Sequence, residues 1–76
     1  MSAQDYVILV EDPVRPGGNY SAWCPDVLGC VATGDTYEEC VASMREALEF
    51  HLEAMRADGD EIPAPSGHPE IVHVAA

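Results

Sequence analysis

The sequence contains no lysine, and three arginines are its only permanently basic side chains. Against them stand 14 acidic residues, which give a formal net charge of −11. Binding to nucleic acid or to an anionic membrane requires a basic surface, so this composition argues against both. Hydrophobic residues nevertheless make up 47% of the chain, which is more than a disordered acidic segment would contain.

Long apolar runs are also missing. The longest is Tyr6–Val10, whereas a membrane-spanning helix needs about 20 apolar residues. The N-terminus lacks the basic and apolar segments of a signal peptide, and we therefore expect a cytoplasmic protein. A length of 76 residues predicts a single domain over 1–76 and excludes a full dinucleotide-binding fold.

Cysteine is scarce and odd in number. Cys24, Cys30 and Cys40 are separated by spacings that match no zinc-binding pattern, and a reducing cytosol would keep them as thiols. We predict three small buried hydrophobic residues. His68 or His73 as a fourth metal ligand is the alternative. No metal and no other cofactor is predicted.

Three short apolar segments precede the middle of the chain and predict β-strands. They are Tyr6–Val10, Tyr20–Cys24 and Cys30–Thr33. Proline- and glycine-containing turns separate them, and such short connections favour an antiparallel meander.

A helix is predicted from Tyr37 to Ala57, with Thr36 and Glu39 as a capping box and Gly59 as a left-handed stop. Its apolar stripe comprises Val41, Met44, Leu48, Leu52 and Met55, flanked or extended by Tyr37, Ala47 and Phe50. A fourth strand, Ile71–Val74, is expected to lie parallel to Tyr6–Val10 after the helical crossover. The predicted fold is α+β in the order β-β-β-α-β, with one helix on one face of the sheet.

A single helix covers one sheet face, yet the Tyr6–Val10 segment is apolar on both. Alternation also places Tyr20 and Trp23 on opposite faces of the second strand. The uncovered face would expose apolar side chains, which usually mark an interface. We therefore expect a homodimer or homotetramer, with a different partner protein as the alternative.

Several short motifs occur in an ordered set from Tyr6 to Pro65. They are Glu11-Asp12, Pro25-Asp26-Val27-Leu28-Gly29-Cys30, Thr33-Gly34-Asp35-Thr36 with Glu38-Glu39, Ala47-Leu48, and Ile62-Pro63-x-Pro65. In order and spacing this set resembles the HicB family of small antitoxins and their stand-alone relatives. The resemblance implies a partial RNase H-like fold. It also implies binding and inhibition of a small basic HicA-type toxin, an mRNA-cleaving ribonuclease.

Many HicB-type proteins carry a second, C-terminal DNA-binding domain, whereas this sequence stops at Ala76 with no basic segment after the last predicted strand. We therefore expect a short form that does not itself bind DNA. The alternative to an antitoxin is a solitary oligomeric regulatory or structural module without a toxin partner.

The function predicted from these features is protein binding and not catalysis. The candidate partner-binding residues are Tyr20, Trp23, Asp26, Glu46, Glu49 and Glu53. The three glutamates either form a solubilising helix face or steer a basic partner toward the protein. Trp23 is either an interface anchor or part of the sheet core.

Two enzymatic alternatives are less favoured. Glu11, Asp12 and Asp35 could be the remnant of a two-metal nuclease site, although a solvated acidic rim is the favoured explanation. Cys40, near the start of the helix, could be a nucleophile if His51 or His73 lay close to it. Core packing is the prediction for Cys40.

Overall fold

The computed structural model describes residues 4–76 and contains a three-stranded sheet followed by one helix. The strands are β1 (Leu9–Glu11), β2 (Tyr20–Trp23) and β3 (Val31–Gly34), and the helix is α1 (Tyr37–Ala57). The sheet order is β1-β2-β3, and both strand pairs are antiparallel. The predicted α+β class, the meander and the helix on one sheet face are confirmed.

β1 begins three residues later than the predicted Tyr6–Val10 strand. Its register places Leu9 opposite Trp23 and Val10 opposite Ala22, so that Val7 would lie opposite Pro25. Proline has no N–H to donate to a strand ladder. The partner strand therefore ends the pairing, and residues 6–8 continue beyond the ladder.

Local capping explains why α1 has the predicted bounds. The Thr36 hydroxyl accepts a hydrogen bond from the Glu39 backbone N–H over 3.1 Å. At the other end Gly59 adopts φ +78°, and its N–H donates to the Arg56 carbonyl while Asp60 donates to Met55. These two bonds form a Schellman motif, in which the left-handed residue satisfies the last helix carbonyls.

The core is small and lies between the helix and the inner sheet face. Its fully buried side chains are Ala22, Cys24, Val27, Cys30, Cys40 and Met44. Partly buried Ile8, Val10, Tyr20, Ala32, Leu48 and Leu52 pack around them. The predicted burial of all three cysteines is confirmed, and all three are free thiols. No helix within residues 4–76 is both long and apolar enough to cross a membrane.

The predicted fourth strand, Ile71–Val74, is not formed. Residues 58–76 contain no regular strand, and Ile71 is 95% exposed. A strand needs a hydrogen-bonded neighbour, and the preceding loop is held elsewhere: the Ser66 N–H and hydroxyl and the Gly67 N–H donate to the Asp26 carboxylate. The segment therefore leaves the domain before it can pair with β1.

Candidate partner-binding surfaces

The outward side of α1 carries three of the predicted site residues. Glu46, Glu49 and Glu53 are all exposed, and because they are three and four residues apart they lie on one side of the helix. Arg56 forms an ion pair with Glu53 over 2.9 Å and partly compensates its charge. We name Glu46, Glu49, Glu53 and the Phe50 that lies between them the acidic helix surface.

Phe50 is the member of this surface that the sequence interpretation placed wrongly. We expected it to flank or extend the apolar stripe, but it is 79% exposed. Glu46 precedes it and Glu53 follows it by about one helical turn, so a glutamate lies on each side of it along the helix. An exposed aromatic ring is a typical binding anchor. The available signal was the 100° rotation per residue, which turns position 50 away from Met44 and Leu48.

Trp23 lies on the uncovered sheet face and Tyr20 on the helix side, and their predicted placement on opposite faces is confirmed. Its register aligns it with Leu9 on one side and Val31 on the other. These three side chains are 40%, 45% and 67% exposed, respectively, and they form an apolar row across the sheet. The Trp23 indole N–H donates to the Glu11 carboxylate over 3.2 Å, which fixes the orientation of the ring.

Tyr20 and Asp26 occupy positions with evident structural contacts. Tyr20 is half-buried on the helix side of the sheet, and its ring meets that of Tyr37 edge to face at 6.2 Å. Asp26 accepts hydrogen bonds from Ser66 and Gly67, and the Ser66 backbone N–H is the largest cause that lowers the pKa of its carboxyl. Its carboxylate holds the loop after the helix against the connection between β2 and β3.

The six candidate residues therefore do not form one site. The acidic helix surface faces solvent on one side of the domain, whereas Trp23 faces solvent on the other, because the helix and sheet form two layers. Sequence alternation predicts such a separation for each element, but it does not show which outer surface belongs with which.

The buried thiols are arranged for packing. Cys40 is fully buried at the start of α1, and its Sγ lies 4.0 Å from the Ala32 carbonyl oxygen. Burial raises the pKa of the Cys30 thiol, and electrostatic repulsion from Cys24 raises it further. A buried thiol of raised pKa is a poor nucleophile.

The acidic residues of the sheet end do not converge. Glu11 is the last residue of β1, and Asp35 follows the last residue of β3. Because β2 lies between these strands, the two residues are about two strand spacings, or about 10 Å, apart. Within the part of the chain that the structure describes, no group of three or more His, Cys, Asp or Glu side chains could hold a metal ion.

Comparisons with known proteins agree with this architecture. Residues 6–74 match the family described as HicB-like antitoxin of bacterial toxin–antitoxin system. A UPF0150 protein of Synechocystis sp. is 36% identical over 59 residues, which cover 78% of this chain and 72% of that protein. A 14.9 kDa protein in the rep-hol intergenic region of Haemophilus phage HP1 is 38% identical over 58 residues, 76% of this chain but 41% of the phage protein. A UPF0150 protein of Helicobacter pylori is 41% identical over 39 residues, 51% of this chain and 54% of that protein. The chain belongs to the HicB-like antitoxin family of bacterial toxin–antitoxin systems.

Proposed function

We propose that this protein is a non-enzymatic antitoxin that neutralises a small basic HicA-type ribonuclease by direct contact through the acidic helix surface. The observation that carries the proposal is Phe50, 79% exposed among Glu46, Glu49 and Glu53. A surface that binds RNA phosphates is basic. Carboxylates spaced along a helix can take the place of phosphates on such a surface and exclude the RNA.

Charge and the aromatic ring would have different parts in this binding. A net charge of −11 attracts a basic protein over a distance and raises the association rate. Once the partners are in contact, the Phe50 ring buries apolar area and slows dissociation. Arg56 now pairs with Glu53, and a basic group of the toxin would compete for the same carboxylate.

The proposal also covers the setting in which the protein acts. We propose that residues 1–76 act as one domain in the cytoplasm, where an mRNA-cleaving toxin would be present. We further propose that the protein is a homodimer or homotetramer, because apolar side chains remain exposed on the outer sheet face. The acidic helix surface lies on the other layer, so an interface on the outer sheet face would leave it exposed.

The test is co-expression of the protein with the product of a neighbouring open reading frame that encodes a small basic protein. We expect the two to co-purify at low salt and the antitoxin to restore growth that the basic protein arrests. Retention of no basic protein at low salt would contradict the proposal and would favour the solitary oligomeric module.

A further inference from the structure

The last residues of the chain expose three β-branched apolar side chains. Ile71, Val72 and Val74 are 95%, 71% and 68% exposed, respectively, and we call Ile71–Val74 the tail. The radius of gyration is 14.1 Å, whereas a compact chain of this length has about 11 Å. The tail therefore extends away from the domain, although its composition favours a strand.

A groove that would accept a further strand lies beside the segment that leads into β1. It has a volume of about 670 Å³ between the start of the chain and α1. Its apolar lining residues are Tyr6, Ile8, Val41, Leu48, Leu52 and Ile62. Charged residues line it as well, among them Arg45, Arg56 and the Glu49 and Glu53 of the acidic helix surface. Among the residues that the structure describes, β1 pairs with β2 alone, so its other edge has no strand partner there. A strand added at that edge would place alternate side chains in the groove.

The path of the chain leads the tail away from its own groove. The Tyr6 hydroxyl donates to the Pro63 carbonyl beside β1. Three residues later, Ser66 and Gly67 donate to Asp26 in the connection between β2 and β3. The chain has thus crossed the end of the sheet from the β1 side before the tail begins.

We propose that the tail of one copy pairs with the free edge of β1 in a second copy and fills its groove. In a strand, Val72 and Val74 share one face and enter the groove, while Ile71 lies on the opposite face beside the row of Leu9, Trp23 and Val31. A two-fold axis makes the exchange reciprocal, so each groove receives one tail. The groove is completed only by the partner copy.

Charge gives this association a salt dependence opposite to that of toxin binding. Each copy carries a net charge of −11, so two copies repel each other and salt screens the repulsion. The dimer should therefore tighten as salt is raised, whereas capture of a basic partner should weaken. Glu49 and Glu53 line the groove, so the tail and the toxin would share part of one surface. The opposite salt dependences still distinguish the two associations when each is measured in a separate experiment.

The first test is sedimentation of the protein without a toxin. We expect a dimer for the full chain and at least a tenfold weaker dimer for the double variant Val72→Asp/Val74→Asp, since each substitution would set a carboxylate against the apolar part of the groove lining. The double variant Ala75→Asp/Ala76→Asp adds the same charge beyond the tail and should remain dimeric. A dimer that resists the tail variant, or a monomeric full chain at high salt, would overturn the proposal.

The second test separates exchange between copies from folding back within one chain. ¹³C-labelled and unlabelled chains are mixed in denaturant, refolded together and examined by isotope-filtered NMR. We expect contacts between the Val72 and Val74 methyl groups of one chain and the Ile8 and Leu48 methyl groups of the other. Contacts confined to a single chain would mean that the tail pairs with its own β1 and would overturn the exchange.

Discussion

At the scale of the residue, Gly34 shows how tightly the helix begins against the sheet. A Cβ at this position would lie 2.5 Å from the Cys40 backbone nitrogen and 2.8 Å from its Cα. These atoms belong to the backbone of α1, so they cannot turn aside as a flexible side chain would. The absence of a side chain at Gly34 therefore sets the distance between β3 and the buried end of the helix.

We predict that Gly34→Ala destabilises the protein by about 1–3 kcal/mol, because the helix must move away from β3. Urea denaturation followed by circular dichroism measures the change. Gly67→Ala is the matched control, since the nearest atom to its added Cβ is an Asp26 carboxylate oxygen at 3.8 Å. A Gly34→Ala protein as stable as this control would show that the close approach is relieved at no cost.

Asp26 is a residue whose protonation should release a loop. Hydrogen bonds from Ser66, led by its backbone N–H, lower the pKa of the carboxyl below its ordinary value of 3.8. Because the folded-state pKa is depressed, the stabilisation is present above the ordinary value and is lost as pH falls through the lowered one. The loop should therefore stay attached at pH 4 and detach only in stronger acid.

NMR titration of the Asp26 carboxyl and of the Ser66 amide measures this prediction. Both signals should change together with one midpoint below 3.8. Asp26→Asn should remove the carboxyl titration and weaken the Ser66 contact at neutral pH, since an amide oxygen is a weaker acceptor than a carboxylate. A midpoint at or above the ordinary value would contradict the assigned role of Asp26.

At the scale of the element, α1 has one face buried against the sheet and one face exposed to solvent. Met44 is fully buried against the sheet, whereas Phe50 is 79% exposed on the acidic helix surface. The two residues lie 600° apart at 100° per residue, which places them on different sides of the helix. Stability should depend on one and partner binding on the other.

We predict that Met44→Ala costs about 2–5 kcal/mol of unfolding free energy, as expected for a buried side chain in a small core. Phe50→Ala should change it by less than about 0.5 kcal/mol while weakening retention of the basic partner. Thermal denaturation and pulldown on the same two variants measure both effects. A large loss of stability in Phe50→Ala would show that Phe50 packs in the core and would exclude it from the proposed interface.

The helix could be predicted from the sequence more fully than the strands. Thr36 and Gly59 are local signals that act within a few residues of their own helix end. The start of β1 depends on Pro25, which follows β2 in the turn, and Ile71–Val74 depends on a partner that no local pattern identifies. The exposure of Phe50 follows from helical rotation, but its apolar character alone suggested the core.

At the scale of the whole molecule, the core is small, and we therefore expect the monomer to have a low free energy of unfolding. Within residues 4–76, six hydrophobic side chains are buried, and three of them are cysteines. A domain of this size buries only about 60% of the surface that its unfolded chain exposes. Association of two copies would add buried apolar area and thereby stabilise the fold by mass action.

We predict that the thermal midpoint of the full chain rises with protein concentration, because the dimer and not the unfolded chain is favoured at high concentration. Differential scanning calorimetry over a hundredfold range of concentration measures the rise. The Val72→Asp/Val74→Asp variant should show a midpoint independent of concentration. A constant midpoint for the full chain would argue for a stable monomer.

The most direct test of the antitoxin proposal is the association rate of the co-purified basic partner with two charge-matched variants. Glu46→Gln/Glu49→Gln/Glu53→Gln removes three carboxylates from the acidic helix surface, and Asp58→Asn/Asp60→Asn/Glu61→Gln removes three after the helix. Stopped-flow measurement at low salt should show at least a roughly tenfold slower association for the first variant and a much smaller change for the second. Equal rates for the two variants would show that net charge alone attracts the partner and would contradict binding at the acidic helix surface.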